Sequence, residues 1–328
     1  MILEGLDFDD VLIEPVVSSV NSRSNVNLEV TYTYHGPYDH KQSITLIPIV
    51  ASNMDSVGTF DVANVLKEYK MLTFLHKYYE VEDFKKNKNK YNPDYTAVTL
   101  GASKRDLDRT MEILKYNPDI RFVCLDVANG YTQLASEYSE IIVNLFPTKI
   151  IVSGNVVTKK GCQNLLPAHI MKIGLGSGSV CITRLKTGVG VPQFTAIQNC
   201  KDDVYHIISD GGCKTPGDIA KAFAAGSQYV MIGGMLAGHD QTSLEFYGMS
   251  SQYALDKYHS KSDYRTSEGK IVDIPGRGDL KGTVQDILGG LRSACTYLNC
   301  SNLSQLINNT NIRFTKVKTQ ANEVFNDL

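Results

Sequence analysis

Between residues 173 and 193 the chain reads IGLGSGSVCITRLKTGVGVPQ, a cysteine set among glycines, serines and threonines directly after an apolar run. Glycine takes backbone shapes closed to other residues, so such a loop can turn amides and carbonyls inward toward an ion or a phosphate. Cys181 is accessible in that setting, and its thiolate can add to an electron-poor ring carbon. A lone cysteine elsewhere in a barrel reads better as a small buried apolar residue. Two more glycine clusters close later apolar runs, Asp210-Gly211-Gly212 and Gly233-Gly234. Their bare N–H groups suit a phosphate, and the carboxylate suits a pair of hydroxyls, although tight turns explain the same residues equally well.

Residues this far apart in sequence need a scaffold that gathers the ends of several strands. From residue 44 onward, short β-branched runs recur, each followed by a longer stretch of helix-compatible composition. Eight are counted: 44–53, 71–77, 95–103, 121–130, 149–157, 169–179, 204–212 and 228–236. Near-continuous apolar strands imply burial on both faces, as in parallel sheets ringed by helices. Eight units, with polar residues collecting after many of them, predict an α/β fold, a (β/α)8 TIM barrel whose site lies at the C-terminal ends of the strands. A doubly wound open sheet is the rival, but no G-x-G-x-x-G follows the first run.

The whole chain, 1–328, reads as a single catalytic domain with three parts outside the repeat. They are an N-terminal arm (1–43), a covering lid after strand eight (about 239–285) that is rich in Tyr, Lys, Gly and Pro, and a C-terminal tail (about 300–328) expected as surface structure or a partly ordered end. The stretch TVQDILGGLRSACTYL after the lid reads as a helix.

Composition narrows the partners. With 33 basic against 35 acidic residues, no net charge calls for a nucleic acid or a membrane surface. The run KKNKNK at 85–90 lacks interleaved aromatics and reads as a solvated helix end. No apolar stretch approaches the roughly 20 residues needed to span a bilayer, and the first residues lack the pattern of a secretory signal. Seven cysteines without paired spacing suit a reducing compartment, so a cytoplasmic location is expected. The acidic cluster Asp7, Asp9, Asp10 reads as solvated, and no divalent metal is assigned.

The loop GSGSVCITR followed by KTGVGVPQ closely resembles the cysteine loop of the IMP dehydrogenase/GMP reductase family, and the KTGVG continuation is similar to that of the reductases. LDFDDVLIEP, ASNMDSVGT, LDVANGY, SDGGC, GGMLAGHD, YGMSS and YRTSEGK resemble family segments in the same order, from residue 5 to about 300. The inserted pair of regulatory repeats and the Arg-Tyr flap motif usual in the dehydrogenases are not visible. Ser177 departs from the proline common in reductases.

The resemblance implies NADPH-dependent reductive deamination of GMP to IMP with release of ammonia. Cys181 would form a thioimidate with the purine, and Thr183 with Glu268 would handle the proton given to the leaving amine. It implies nucleotide contacts at Ser179, Asp210, Gly211, Gly212, Gly233, Gly234, Gly248, Met249 and Ser250, and on the lid at Arg265, Ser267 and Gly269. NADPH would run past Lys77, Asp126, Val127, Ala128, Ile173, Gly174, Met249, Tyr264 and Arg265. Ser22 and Arg23, from the same or a neighbouring subunit, and Ser293, Ala294, Cys295 and Thr296 match further cofactor positions. A potassium ion would be held at Gly174, Gly176, Cys181 and Arg184, and a homotetramer is the family expectation. Two other readings stay open: a dehydrogenase without its regulatory insert, and a non-catalytic nucleotide-binding barrel.

Overall fold

A computed structural model describes residues 4–36, 40–258 and 266–317. Two short strands, β1 (Val11–Ile13) and β2 (Val30–His35), precede eight parallel ones: β3 (Lys41–Ala51), β4 (Met71–Leu75), β5 (Thr96–Leu100), β6 (Phe122–Asp126), β7 (Ile150–Val156), β8 (Ile170–Ile173), β9 (His206–Asp210) and β10 (Tyr229–Ile232). Each pairs with the next, and β10 returns to β3 with Val230 opposite Ile49, so the sheet closes into a barrel. These are the eight apolar runs. β4, β5, β8 and β10 are buried at every position, because side chains on one face fill the barrel and those on the other meet helices.

Helices α1 (Phe60–Leu66), α2 (Val81–Lys86), α3 (Lys104–Tyr116), α4 (Gln133–Leu145) and α5 (Lys159–Asn164) follow β3 to β7 in turn. After β8 come the short α6 (Thr183–Thr187) and α7 (Gln193–Cys200), and after β9 comes α8 (Pro216–Ala225). The last shows how local sequence sets a boundary. Thr215 caps the Asp218 N–H at 3.3 Å while Asp218 accepts from the Thr215 N–H at 3.0 Å, Pro216 fits the first turn, and Gly226 at φ +114° stops the helix.

The N-terminal ends of the strands are closed by the hairpin of β2 on the first half of β3. From it the Tyr32 hydroxyl donates to the Gln228 carbonyl at 2.7 Å, and the Tyr34 and Tyr229 hydroxyls meet at 2.5 Å. The opposite mouth stays open beneath the segment after β10. That segment carries β11 (Glu245–Tyr247), α9 (Gln252–Tyr258) and β12 (Ile271–Asp273), the two strands antiparallel.

Helix α10 (Leu280–Tyr297) begins inside the stretch expected as lid, because Asp279 caps it by accepting from the Lys281 N–H at 3.0 Å. The tail is ordered structure as far as residue 317, and its remainder, 318–328, lies outside the described residues. Leu303 and Leu306 of α11 (Leu303–Ile307) are fully buried, and β13 (Phe314–Lys316) pairs antiparallel with β1. The acidic N-terminal cluster is not simply solvated. Asp7 accepts from Arg184 at 3.1 Å and from the Gln193 N–H, and Asp9 pairs with Lys214 at 2.8 Å, so these carboxylates clip the arm to the barrel. In the KKNKNK run, α2 ends at Lys86, Lys85 pairs with Glu82, and Lys90 pairs with Asp61. No helix among the described residues is long and apolar enough to cross a membrane.

Candidate active site

The cysteine loop leaves β8 at Ile173 and turns at Gly176, whose φ of +77° lies in the left-handed region that a side chain resists. Ser177 then donates to the Asp210 carbonyl at 2.9 Å, a bond that proline at this position could not make. The departure from the reductase pattern therefore ties the cysteine loop to the end of β9. Cys181 follows, partly exposed, while five of the other six cysteines are buried.

From Cys181 a hydrogen-bonded chain runs to the lid. The thiol lies 3.2 Å from the Thr183 hydroxyl, which donates to the Glu268 carboxylate at 2.7 Å. Glu268 is held by main chain. Its carbonyl accepts from Ile182 at 2.8 Å, its N–H donates to Ser250 at 2.9 Å, and Lys270 N–H reaches Val180 at 2.9 Å. The return strand of the lid thus lies between the cysteine loop and residues 248–251. Gly248 and Gly269 make this possible, since a Cβ on either would come within about 3.0 Å of the other's Cα.

Two cavities meet at this chain. One of about 210 Å³ is lined by Ser52, Met54, Gly211, Val180 and Asp210. The other, about 1200 Å³, runs outward past Lys77, Ser103, Arg105, Arg109, Val127 and Ala128. Both are lined by Asp126, Asn155, Cys181, Thr183, Met249 and Glu268, so a planar ligand in the smaller cavity and an extended one in the larger would touch near the thiol.

At the floor of the junction, Lys172 is 2% exposed and pairs with Asp126 at 3.0 Å and Asp210 at 2.7 Å. Burial alone would raise the Asp126 pKa, but the Lys172 and Lys77 ammonium groups outweigh it and hold the carboxyl below its ordinary range. Burial likewise disfavours the Lys172 cation, and the two carboxylates reverse that effect and drive its pKa up.

The structure gathers most of the residues named from sequence. Cys181, Thr183, Glu268, Asp210, Gly211, Gly248, Met249 and Ser250 line the smaller cavity, and Lys77, Asp126, Val127, Ala128 and Gly174 line the larger. Gly233 and Gly234 sit beside the smaller cavity, a Cβ on Gly234 falling 3.1 Å from the Ser179 hydroxyl and one on Gly233 3.0 Å from that of Ser52. Gly212 takes φ +85° against Phe8 and Gln193, Ile173 is buried, and Ser267 bonds the Gly269 carbonyl at 3.0 Å. Ser22 and Arg23 are exposed on a short turn packed by α10, where Ser293 and Thr296 bond back to their own helix and Cys295 faces the core. None of these five, nor Ala294, lines either cavity. Arg184 spends its guanidinium on Asp7 and the Val191 carbonyl. Tyr264 and Arg265 lie outside the described residues.

Sequence reading passed over Ser52, Asn53, Met54, Asn155 and Lys172. The Ser-Asn-Met triplet after the first apolar run, and a lysine inside HIMKIGLG, were the signals. Ser52 Oγ is buried with no partner among the described residues, as a hydroxyl awaiting a ligand would be.

A family model described as the IMP dehydrogenase / GMP reductase domain matches residues 5–324. The chain is 44% identical over 344 aligned residues to the GMP reductase of Shigella boydii serotype 18 (strain CDC 3083-94 / BS512), covering 98% of each. Identity and coverage are the same for the GMP reductases of Escherichia coli O157:H7 and of Escherichia coli strain K12 / DH10B.

Proposed function

The chain belongs to the IMP dehydrogenase/GMP reductase family, and we propose that it works as a GMP reductase, converting GMP to IMP with release of ammonia. It is an oxidoreductase. The observation that carries the finer reading is the Cys181–Thr183–Glu268 chain at the junction of the two cavities.

GMP occupies the smaller cavity in this reading, with the purine against Met249 and Ser250, the ribose hydroxyls on Asp210, and the phosphate toward Gly233, Gly234, Ser179 and Ser52. Cys181 adds its sulfur to C2 of the base. Thr183 and Glu268 pass a proton to the 2-amino group, which leaves as ammonia, and the base stays bound to sulfur as a thioimidate. NADPH, when bound, supplies the hydride that replaces the sulfur at C2 and returns the thiolate.

The fit of that cofactor is supported by the larger cavity, which opens on the thiol and carries Lys77, Arg105 and Arg109 along its length. Arg109 Nε is buried there without a hydrogen-bond partner among the described residues. Lys77, Asp126, Val127 and Ala128 would hold its nicotinamide half. A potassium ion at the carbonyls of Gly174, Gly176 and Cys181 belongs to the same proposal, since backbone carbonyl oxygens can replace the hydration shell of that ion. The Gly174 carbonyl accepts from the Asn155 amide at 3.0 Å and keeps a second lone pair. Homotetrameric assembly in the cytoplasm completes the reading. Its support is the exposed apolar residues Val16, Val17, Leu185 and Val189, together with a group of cofactor-type positions, Ser22, Arg23 and Ser293 to Thr296, that lies away from the cleft of its own subunit.

Mixing the protein with GMP and NADPH tests the reading. Loss of the reduced-nicotinamide band with one ammonia released per cofactor oxidised is expected. NADH formation from IMP and NAD, without GMP reduction, would replace it by the dehydrogenase.

A further inference from the structure

A lysine in the middle of a barrel strand needs an explanation, because burying its ammonium group is costly unless carboxylates and hydrogen bonds compensate. Lys172 interrupts the apolar run of β8, and the chain makes room for it with Gly154 on the neighbouring β7, where a Cβ would fall 2.3 Å from the Lys172 Cβ. Its ammonium group then reaches the mouth of the barrel and meets two carboxylates, one from the adjacent β9 and one from β6, two strands away. Asp210, at the end of β9, receives Lys172 and the Asn155 amide on the same oxygen, both at 2.7 Å, which leaves its other oxygen for a ligand. Asp126, at the end of β6, receives Lys172 on Oδ1 at 3.0 Å.

The two carboxylates do different work. Asp210 lines only the smaller cavity, whereas Asp126 lines both and borders the larger one beside Val127 and Ala128. Without a cation between them, they would be two like charges in a partly buried site, held only by their other partners, the Asn155 amide on Asp210 and Asn53 and Lys77 at Asp126. Accordingly, we infer that Lys172 is a positioning residue that ties the nucleotide-binding carboxylate Asp210 to the cofactor-side carboxylate Asp126, so that one side chain sets the binding geometry of both half-sites. This rests on the proposed GMP and NADPH sites. Lysine suits the task because its compact ammonium donates in three directions, and here two of them are taken by carboxylates.

The test titrates the full-length protein by calorimetry with GMP alone and with NADPH alone, comparing the parent with Lys172→Met, Lys172→Arg and the charge-balanced Lys172→Met/Asp126→Asn. Lys172→Met should weaken both ligands by about tenfold or more, with KM for GMP rising more than kcat falls, as expected when charge-assisted contacts are misplaced. Lys172→Arg, which keeps the cation but not the compact ammonium, should bind both ligands more tightly than Lys172→Met and less tightly than the parent. The double variant has no uncompensated like charge and is the one to use if Lys172→Met does not fold. It should still bind GMP about tenfold more weakly, because Asp210 keeps the Asn155 amide but has lost its charged partner. Parental GMP affinity in the double variant, or parental affinity for both ligands in a folded Lys172→Met, would overturn the inference. A parent protein that binds no GMP would instead sink the functional reading beneath it.

Discussion

The Thr183 hydroxyl donates to the Glu268 carboxylate at 2.7 Å although the two residues are 85 positions apart, and the Thr183 oxygen also lies 3.2 Å from the Cys181 sulfur. A carboxylate on the lid is thereby joined to a nucleophile on the barrel through one hydroxyl. Glu268→Gln keeps the shape and removes the proton carrier. Turnover of GMP should fall by about 10²- to 10⁴-fold with little change in GMP affinity, since the proton is needed only as ammonia leaves. Rapid-quench measurement should show adduct formation from IMP and NADP surviving better than adduct formation from GMP. Equal loss in both directions would remove the relay from the mechanism.

Gly269 stands next in the chain and lets the return strand pass between Gly248 and the cysteine loop. Gly269→Ala places a Cβ 2.9 Å from the Ser251 nitrogen, so the strand must shift and carry Glu268 with it. Because lid main chain moves rather than barrel core, turnover should drop by about tenfold or more while the melting temperature falls by only a few degrees. A melting curve beside a GMP assay separates the two effects.

Asp210→Asn should weaken GMP by roughly 1.5–3 kcal/mol, the range for a hydrogen bond to a charged group. Equilibrium titration checks it, and an unchanged dissociation constant would remove Asp210 from the nucleotide site.

Stability should depend on pH through two histidines. Burial holds His206, which packs against Tyr32 and Tyr34, down to about 4, and His76, stacked on Tyr79, is also at about 4. In the unfolded chain both return to about 6.5. Between these values the unfolded state binds more protons, so their contribution is fully present above about pH 6.5 and is lost as pH falls toward 4. Urea unfolding at several pH values should show this decline, at most about 3 kcal/mol for each group. His206→Phe should flatten part of it, and an unchanged slope would mean that His206 is not responsible.

How far the sequence reveals this protein can be argued from particular residues. The barrel is legible because each strand is a short β-branched run buried on both faces, so period and composition agree. The hairpin that floors it is not, because β2 lies outside the repeat and its tyrosines find Gln228 and Tyr229 only in three dimensions. Cys181 announces itself by its glycine loop, and Asp210 by the glycines after it. Thr183 and Glu268 are ordinary residues by type, named through family resemblance alone, and their pairing depends on main-chain bonds from the lid that no local pattern records. Lys172 was visible as a cation in an apolar strand, but its two partners, 46 positions before it and 38 after it, were not.

The proposed chemistry depends most directly on the sulfur of Cys181. The protein should be incubated with GMP and NADPH, quenched in acid during turnover and digested, and the cysteine peptides weighed. The peptide containing Cys181 should carry the mass of GMP less ammonia, the adduct should vanish in Cys181→Ala, and GMP should protect this thiol from alkylation in the intact protein. Steady turnover by Cys181→Ala, or an adduct on any other cysteine, would contradict the account.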